Sequence, residues 1–330
     1  MTGDAPVLVG DEPSYTVALF AHNEERRIAA AVRAVVAEVA ATGGWRCLAI
    51  HVLCNGCRDR TVELVQAMSG GLVHCLELAR GDKAATWNTY VHEHAPAADA
   101  HVFMDGDLEL IPGGLRPLLD GLSATPATRA SSGLARSGRH LAAHRVAALE
   151  RRELGGGLYA LSGEFVARMQ LQGIRLPVGW IGDDNLLCTL VRLDLDPFAT
   201  LDYNRVEPVP AAGYRFDSLS PTDWRDWRIY FNRRIRYAIR RIENHLFYQR
   251  FYRQGYAVMP ATADELFAAC ADDLRSLPSA GGADRLFHAL ARRRIAARLR
   301  ARSEGEIVPT ANLPDAGLPE AGGGTPPAAD

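Results

Sequence analysis

Four short apolar runs alternate with helical segments over the first third of the chain, and each run ends in polar residues. The runs lie at 15–21, 47–53, 72–78 and 101–104, and they predict four strands. After the first run, apolar residues recur at helical spacing from Ile28 to Val39. Strands that alternate with helices through short connections are typical of a parallel sheet, whose carboxyl ends meet at one edge. The polar residues that follow the four strands should therefore lie together at that edge.

Two of these polar residues, Asp105 and Asp107, follow the fourth strand with one glycine between them. Carboxylates at positions i and i+2 of a strand end point the same way, so the pair can hold Mg²⁺ or Mn²⁺ while substrate phosphates complete the coordination. The alternative is a polar turn that only closes the strand, because Asp-Gly is a strong turn signal.

The segments after the first three strands are also short and polar. They read His-Asn-Glu-Glu at 22–25, Cys-Asn-Gly-Cys-Arg-Asp-Arg-Thr at 54–61 and Arg-Gly-Asp-Lys at 80–83. Asn23 is predicted as the N-cap of the first helix, and Asp59 and Thr61 as caps of the second. No Gly-x-Gly-x-x-Gly follows the first strand, which disfavours a dinucleotide site.

Residues 15–110 resemble the nucleotide-sugar half of family 2 glycosyltransferases, which have the GT-A fold. The matching motifs are Asn-Glu-Glu at 23–25, Asn-Gly-x-x-Asp-x-Thr at 55–61, a Gly/Lys stretch at 81–83 and Asp-x-Asp at 105–107. A looser match follows at 156–161 and 182–185, and the segment 233–237 resembles a Gln-x-x-Arg-Trp element with Arg and Tyr replacing Gln and Trp. The resemblance implies a mostly parallel α/β sheet flanked by helices, a helical C-terminal extension, and metal-dependent transfer of a sugar from a nucleotide-diphosphate donor.

The resemblance also implies which residues bind the donor and the metal. Asp107 and Asp105 would hold Mg²⁺ or Mn²⁺. The donor-binding residues would be Phe20, Ala21, Glu24, Asn55, Lys83, Asp105, Arg233 and Arg236. A UDP-sugar is the expected donor, although Asn55 replaces the Asp with which many relatives recognise the base. Glu24 has an alternative role in favouring the helix dipole, and Lys83 could be an ordinary solvated lysine.

Asp184 occupies the position of the family's general base, and Asp183 is the alternative. An inverting transfer needs such a carboxylate to take the proton of the acceptor hydroxyl as it attacks the anomeric carbon. The competing interpretation is that one of the two aspartates caps a helix at 185–192. The family's processive members carry membrane spans that this sequence lacks, so we expect a non-processive enzyme.

Residues 221–254 are predicted to form a long arginine-rich helix, and 284–302 a second basic helix. Most such runs are packed helices with a solvated basic face. A phosphate-bearing or lipid-linked acceptor, or an anionic membrane surface, is the more specific hypothesis.

Composition limits the class of protein. With 330 residues and 48% hydrophobic content, the chain can bury one sizeable core. We expect a catalytic domain at 14–215, divided into a nucleotide-sugar half at 14–110 and an acceptor half at 111–215. A helical extension at 216–302 and disordered tails at 1–13 and 303–330 complete the prediction.

A formal net charge of −2 does not suggest nucleic acid. No signal peptide or apolar run of about 20 residues is present, so we expect a cytoplasmic protein, with peripheral contact to the inner membrane as an option.

Cys54-x-x-Cys57, with Cys47 and Cys75 nearby, could form a redox pair or half of a zinc site. A structural zinc needs four ligands and no second such pair occurs, so we favour reduced thiols that pack as small apolar residues.

Two other functions remain as alternatives to the transferase. One is a nucleotidyltransferase, which would ordinarily show a Gly-rich basic loop after the first strand. The other is a catalytically silent nucleotide-sugar-binding scaffold.

Overall fold

The computed structural model describes residues 12–138, 141–216, 224–277, 282 and 284–303. The strands in this part of the chain are β1 (Ser14–Ala21), β2 (Arg46–Asn55), β3 (Val73–Leu78), β4 (Ala100–Asp105), β5 (Glu109–Leu110), β6 (Ala130–Ala135), β7 (Leu158–Ser162) and β8 (Val206–Arg215). They form one eight-stranded sheet in the order β3-β2-β1-β4-β7-β6-β8-β5.

The first four strands pair in parallel, as predicted. Strand β7 runs antiparallel to β4 and β6, whereas β8 is parallel to β6 and antiparallel to β5. The predicted α/β fold, with a mostly parallel sheet, is confirmed.

Helices cover both faces of the sheet. They are α1 (Ile28–Ala41), α2 (Thr61–Met68), α3 (Lys83–Thr89), α4 (Leu115–Asp120), α5 (Leu141–Glu150), α6 (Gly163–Gln172), α7 (Asp183–Arg192), α8 (Trp224–Gln254), α9 (Ala263–Ala269), α10 (Ala271–Ser276) and α11 (Asp284–Ser303). None of the helices in the described ranges combines the length and the apolar character needed to cross a membrane.

Alternate residues of β1 pack into two different cores. Val17 and Leu19 join the core formed with α1, α2 and α4, while Ala18 and Phe20 join the core formed with α3, α6, α7 and α8. Because both faces are covered, β1 reads as a nearly continuous apolar run. Helix α8 shares this second core with the sheet, so the predicted C-terminal extension packs directly on the sheet and on α7.

The predicted cap of the first helix is wrong. Helix α1 begins at Ile28, and its N-cap is Arg27 rather than Asn23. The carbonyl of Glu24 accepts hydrogen bonds from the N–H groups of Arg27 and Ile28, so a separate turn precedes the helix. Asn23 lies in the left-handed region with φ +56°, and its Oδ1 accepts from the Arg58 N–H at 2.8 Å.

The cap interpretation of the acid pair at 183–184 is also wrong. Helix α7 begins at Asp183 after Gly182, and no side chain caps it. Helix α2 has Arg60 at its N-cap, although Asp59 accepts a hydrogen bond from the N–H of Thr61, its first residue. The predicted disordered tails fall almost entirely on 1–11 and 304–330, outside the described residues.

Candidate active site

The Asp-Gly-Asp turn packs directly against the end of β1. Asp105 lies opposite Phe20 in the register between β4 and β1. The N–H of Gly106 donates to the Phe20 carbonyl at 2.6 Å, and a Cβ on Gly106 would lie only 2.7 Å from that oxygen. Glycine at this position therefore allows the two aspartates to follow the strand without displacing β1.

Lys83 forms an ion pair with Asp105. Its Nζ lies 2.7 Å from Asp105 Oδ1 and donates to the carbonyl of Gly156 at 3.3 Å. Lys83 is the first residue of α3, whose N-cap Asp82 accepts from the Ala85 N–H at 2.9 Å. Burial disfavours the charged amine, but Asp105 and then Asp183 outweigh it and hold the pKa of Lys83 well above its usual range. The lysine is therefore a fixed positive charge at the carboxyl edge.

Asp107 is buried with one oxygen that has no hydrogen-bond partner among the described residues. Its relative exposure is 8%, and the oxygen concerned is Oδ2. Burial, and then the charge of Asp105, raise the pKa of Asp107 to about 7. Since buried acceptors are normally satisfied, an orphan carboxylate oxygen here fits a site for a cation.

Glu24 lies in the same acidic region and is also buried. Burial, and then Asp107, raise the pKa of Glu24 to about 8, whereas Arg27, 3.9 Å away, opposes this effect. The described residues contain no group of three or more His, Cys, Asp or Glu side chains close enough to hold a metal on their own. A metal on Asp105 and Asp107 would therefore need further oxygen ligands from outside the protein, as Mg²⁺ usually does.

Asn55 ends β2 beside the loop that follows β1. Its Nδ2 donates to the Ala21 carbonyl at 3.1 Å, and His22 Nδ1 lies 2.5 Å from its backbone oxygen. The next residue, Gly56, has φ +57°, and a Cβ there would lie 2.4 Å from the N of Gly81. The loops after β1, β2 and β3 thus hold one another in place.

Asp59 and Thr61 strengthen this contact between loops. Thr61 Oγ1 accepts from the Glu24 N–H at 2.7 Å, and Asp59 Oδ2 accepts from the Glu25 N–H at 3.0 Å. Both residues therefore position the loop that carries Glu24.

Asp184 is held by an arginine from α8. Its Oδ1 lies 3.0 Å from an Nη atom of Arg240 and accepts from the Asn185 N–H at 2.7 Å. Both charged side chains are buried, each about 7% exposed. Gly182 leaves room for the arginine, because a Cβ there would lie 2.9 Å from its Nε. The hydrogen bonds from Arg240 and from the Asn185 N–H are both made to Oδ1 of Asp184.

The charge of Asp183 acts on Lys83 and on Tyr159. Asp183 raises the pKa of Lys83 after Asp105 does. Burial, and then Asp183, raise the pKa of Tyr159, whose hydroxyl accepts from Trp87 Nε1 at 3.0 Å. The acid pair at 183–184 therefore interacts with both Lys83 of α3 and Arg240 of α8.

The structure brings most of the predicted site residues to one edge of the sheet. These are Phe20, Ala21, Glu24, Asn55, Lys83, Asp105, Asp107, Asp183 and Asp184. Arg233 and Arg236 precede Arg240 by seven and four residues on the same face of α8, and Arg240 contacts Asp184. Arg240 belongs to none of the predicted motifs, and Gly156, within the looser match at 156–161, acts through its backbone carbonyl, for which residue types give no signal.

No family model matches the sequence, and no curated protein matches it. Among solved structures, a mannosyltransferase from Pyrobaculum calidifontis in complex with GDP-Man and Mn²⁺ superposes with a TM-score of 0.51 at 18% identity, covering 89% of this chain and 80% of that one. Glucosyl-3-phosphoglycerate synthase from Mycobacterium tuberculosis, with Mn²⁺, UDP-Glc and phosphoglyceric acid, gives a TM-score of 0.45 at 21% identity, covering 66% and 78%. The fold of this chain is that of GT-A glycosyltransferases.

Proposed function

We propose that this protein is a metal-dependent glycosyltransferase of family 2, which transfers a sugar from a nucleotide-diphosphate donor. The observation that carries the proposal is the orphan Oδ2 of buried Asp107, next to the Lys83–Asp105 ion pair at the carboxyl edge. The likeness to a mannosyltransferase solved with GDP-Man and Mn²⁺ supports the same class.

Asp107 and Asp105 are the residues that would hold Mg²⁺ or Mn²⁺. A bound divalent cation supplies positive charge to the diphosphate. Lys83 adds a second positive charge, fixed by Asp105 and the Gly156 carbonyl, where the leaving group becomes negative. Phe20, Ala21, Glu24 and Asn55 would line the nucleoside end of this pocket.

Asp184 is the proposed general base of an inverting, single transfer. Arg240 and the Asn185 N–H bind Oδ1, which orients the carboxylate and leaves Oδ2 to take a proton from the acceptor hydroxyl. Asp183, beside the lysine, is the second candidate for this role.

The acceptor is proposed to carry a phosphate or a lipid-linked phosphate. The supporting feature is α8, which presents Arg233 and Arg236 on the face that leads to Arg240. The uridine preference, the cytoplasmic location and the membrane contact stay predictions from the sequence.

The decisive experiment measures donor binding and transfer with and without metal. Nucleotide sugars are screened by thermal shift with Mn²⁺, since a donor at 100 times its dissociation constant adds about 2.7 kcal/mol of apparent stability. We expect Asp107→Asn to remove the metal enhancement and to lower activity by roughly 10²-fold or more, because the charge on the diphosphate is then less well compensated.

Asp120→Asn is the matched control, since Asp120 pairs with Arg116 on the exposed surface of α4. This variant should behave as the wild type. Full activity in excess chelator would refute the metal assignment. Donor binding with neither hydrolysis nor transfer would instead favour the scaffold alternative, and release of pyrophosphate from a sugar phosphate and a nucleoside triphosphate would favour the nucleotidyltransferase.

A further inference from the structure

Three cysteines meet beneath the loop that carries Asn55. Cys54 is fully buried at the end of β2, and Cys57, three residues later, is half-buried and reachable from solvent. Cys57 and Cys75, on β3, both pack against the core that contains Cys54, and their thiols interact electrostatically with that of Cys54. All six cysteines of the chain are free in the structure.

The surroundings of Cys57 favour a thiolate. The Cys54 thiol lowers the pKa of Cys57 most, and the backbone N–H of Asn23 and the nearby His22 lower it further. The hydrogen bond from Cys54 lowers the pKa of Cys57 to about 7, although burial opposes it. The same hydrogen bond, together with burial, raises the pKa of Cys54, so Cys54 keeps its proton.

This arrangement pairs Cys57, a half-buried cysteine that favours the thiolate, with the buried thiol of Cys54. In dithiol sites, the accessible thiolate reacts first and the neighbouring thiol then resolves the product. We propose that Cys54 and Cys57 are a peroxide-sensitive dithiol, and that their disulfide weakens donor binding. The second half of this inference rests on the proposed function.

The chemistry balances with a hydroperoxide as the oxidant. The Cys57 thiolate attacks the O–O bond, an S–O bond forms, and hydroxide or alkoxide leaves, so that Cys57 becomes a sulfenic acid. The leaving group takes the proton of Cys54, whose sulfur then attacks the sulfenic sulfur and expels hydroxide, which is protonated to water. Two thiols lose two electrons in total, and the peroxide is reduced.

The disulfide would act on the proposed nucleoside-binding residue Asn55, because Asn55 and Gly56 lie between the two cysteines in the sequence. When Cys57 is protonated, its thiol donates to the Ala21 carbonyl at 3.5 Å, and Asn55 Nδ2 donates to the same oxygen at 3.1 Å. Gly56 is already in tight contact with Gly81. Closing an S–S bond would draw the Cys57 sulfur away from the Ala21 carbonyl, and the loop that shifts with it carries Asn55.

The test uses the full chain and hydrogen peroxide. After oxidation, the protein is alkylated and analysed by mass spectrometry without reduction. We expect Cys54 and Cys57 to be lost from the alkylated pool together, at peroxide concentrations that leave Cys47 alkylated. The dissociation constant for the donor should rise at least about tenfold, and dithiothreitol should reverse both changes.

Cys57→Ser should be insensitive to peroxide, and Cys47→Ser is the matched control. Cys47 also lies half-buried on β2, but burial raises its pKa to about 11, so its replacement should leave the response unchanged. A second measurement needs no variant: the rate of Cys57 alkylation in the native protein should have a midpoint near pH 7.

A disulfide between Cys54 and Cys75, or equal oxidation of Cys47 and Cys57, would overturn the assignment. A Cys54–Cys57 disulfide with unchanged donor affinity would overturn the regulatory half. Mass spectrometry detects the disulfide in the absence of a donor and so tests the thiol chemistry alone. Donor binding to the reduced protein is measured first and tests the proposed function. Failure of the proposed function is therefore distinguishable from failure of this inference.

Discussion

Two buried carboxylates, Asp107 and Asp184, have opposite surroundings. Within the described part of the chain, Asp107 Oδ2 has no hydrogen-bond partner, and burial, then the charge of Asp105, raise the pKa of Asp107 to about 7. Asp184 is paired with Arg240 at 3.0 Å and stays close to a positive charge. Different surroundings of this kind suit different tasks, one carboxylate holding a cation and the other accepting a proton.

We predict that Asp184→Asn lowers kcat by roughly 10²- to 10⁴-fold and leaves donor affinity nearly unchanged, because the proton is taken in the transition state and not when the donor binds. Steady-state kinetics and a donor titration measure the two quantities separately. Normal turnover in this variant, together with an inactive Asp183→Asn, would assign the base to Asp183. A product with retained anomeric configuration would exclude a single displacement.

At the scale of elements, the site depends on contact between α7 and α8. Helix α7 carries the acid pair in its first turn, and α8 reaches it through Arg240. Glu243, one turn further along α8, accepts a hydrogen bond from the N–H of Ile181 at 3.1 Å, just before α7. Helix α8 therefore holds the start of α7 from two successive turns.

We predict that Arg240→Gln lowers the free energy of unfolding by about 3 kcal/mol, because it leaves the buried charge of Asp184 uncompensated. It should also lower kcat while donor affinity remains. Urea denaturation and steady-state kinetics are the measurements.

Arg241→Gln is the matched control, since Arg241 is the next residue, is exposed and pairs with Asp284 at 3.1 Å. The control should lose less than about 1 kcal/mol. Equal losses in both variants would show that Arg240 has no special role in orienting Asp184.

At the scale of the whole molecule, buried histidines make the sheet sensitive to acid. His101 on β4 is 2% exposed, and its Nδ1 lies 3.0 Å from Thr16 Oγ1 on β1. Burial, and then the charge of His51, lower the pKa of His101 to about 4. His51 on β2 stacks with His74 at 5.5 Å, and burial lowers its pKa to about 4 as well.

We predict that His101 lowers the stability of the wild type as the pH falls from about 6.5 to about 4. In this window the unfolded chain binds a proton at His101 and the folded chain does not, so the free energy of unfolding rises with pH. The full effect is about 3 kcal/mol. Glu24 and Asp107 have raised pKa values and act in the opposite direction, so the comparison is made between variants.

Urea denaturation across this pH range should show a smaller loss of the free energy of unfolding for His101→Gln than for the wild type. The exposed His245→Gln should match the wild type, and an unchanged slope in His101→Gln would contradict the assignment.

Local patterns determined the strands and the loops that end them. Burial on both faces makes β1 and β4 continuous apolar runs, and the parallel order of four strands brings the loops with Glu24, Asn55, Lys83 and Asp105 to one edge. These features follow from short stretches of sequence and from the rules of parallel sheets, so they could be predicted. The cap assigned to Asn23 failed because a capping residue and a turn residue have the same local preferences.

Only the tertiary structure decided how Asp184, Arg240 and the cysteines meet. Arg240 lies 56 residues from Asp184, and its reach depends on how α8 packs on α7, which no local motif encodes. The orphan oxygen of Asp107 and the thiol contact of Cys54 with Cys75 likewise arise from burial and from strand register. A sequence specifies residue types and local periodicity, whereas the charge and solvation of a side chain depend on neighbours that folding brings from distant segments.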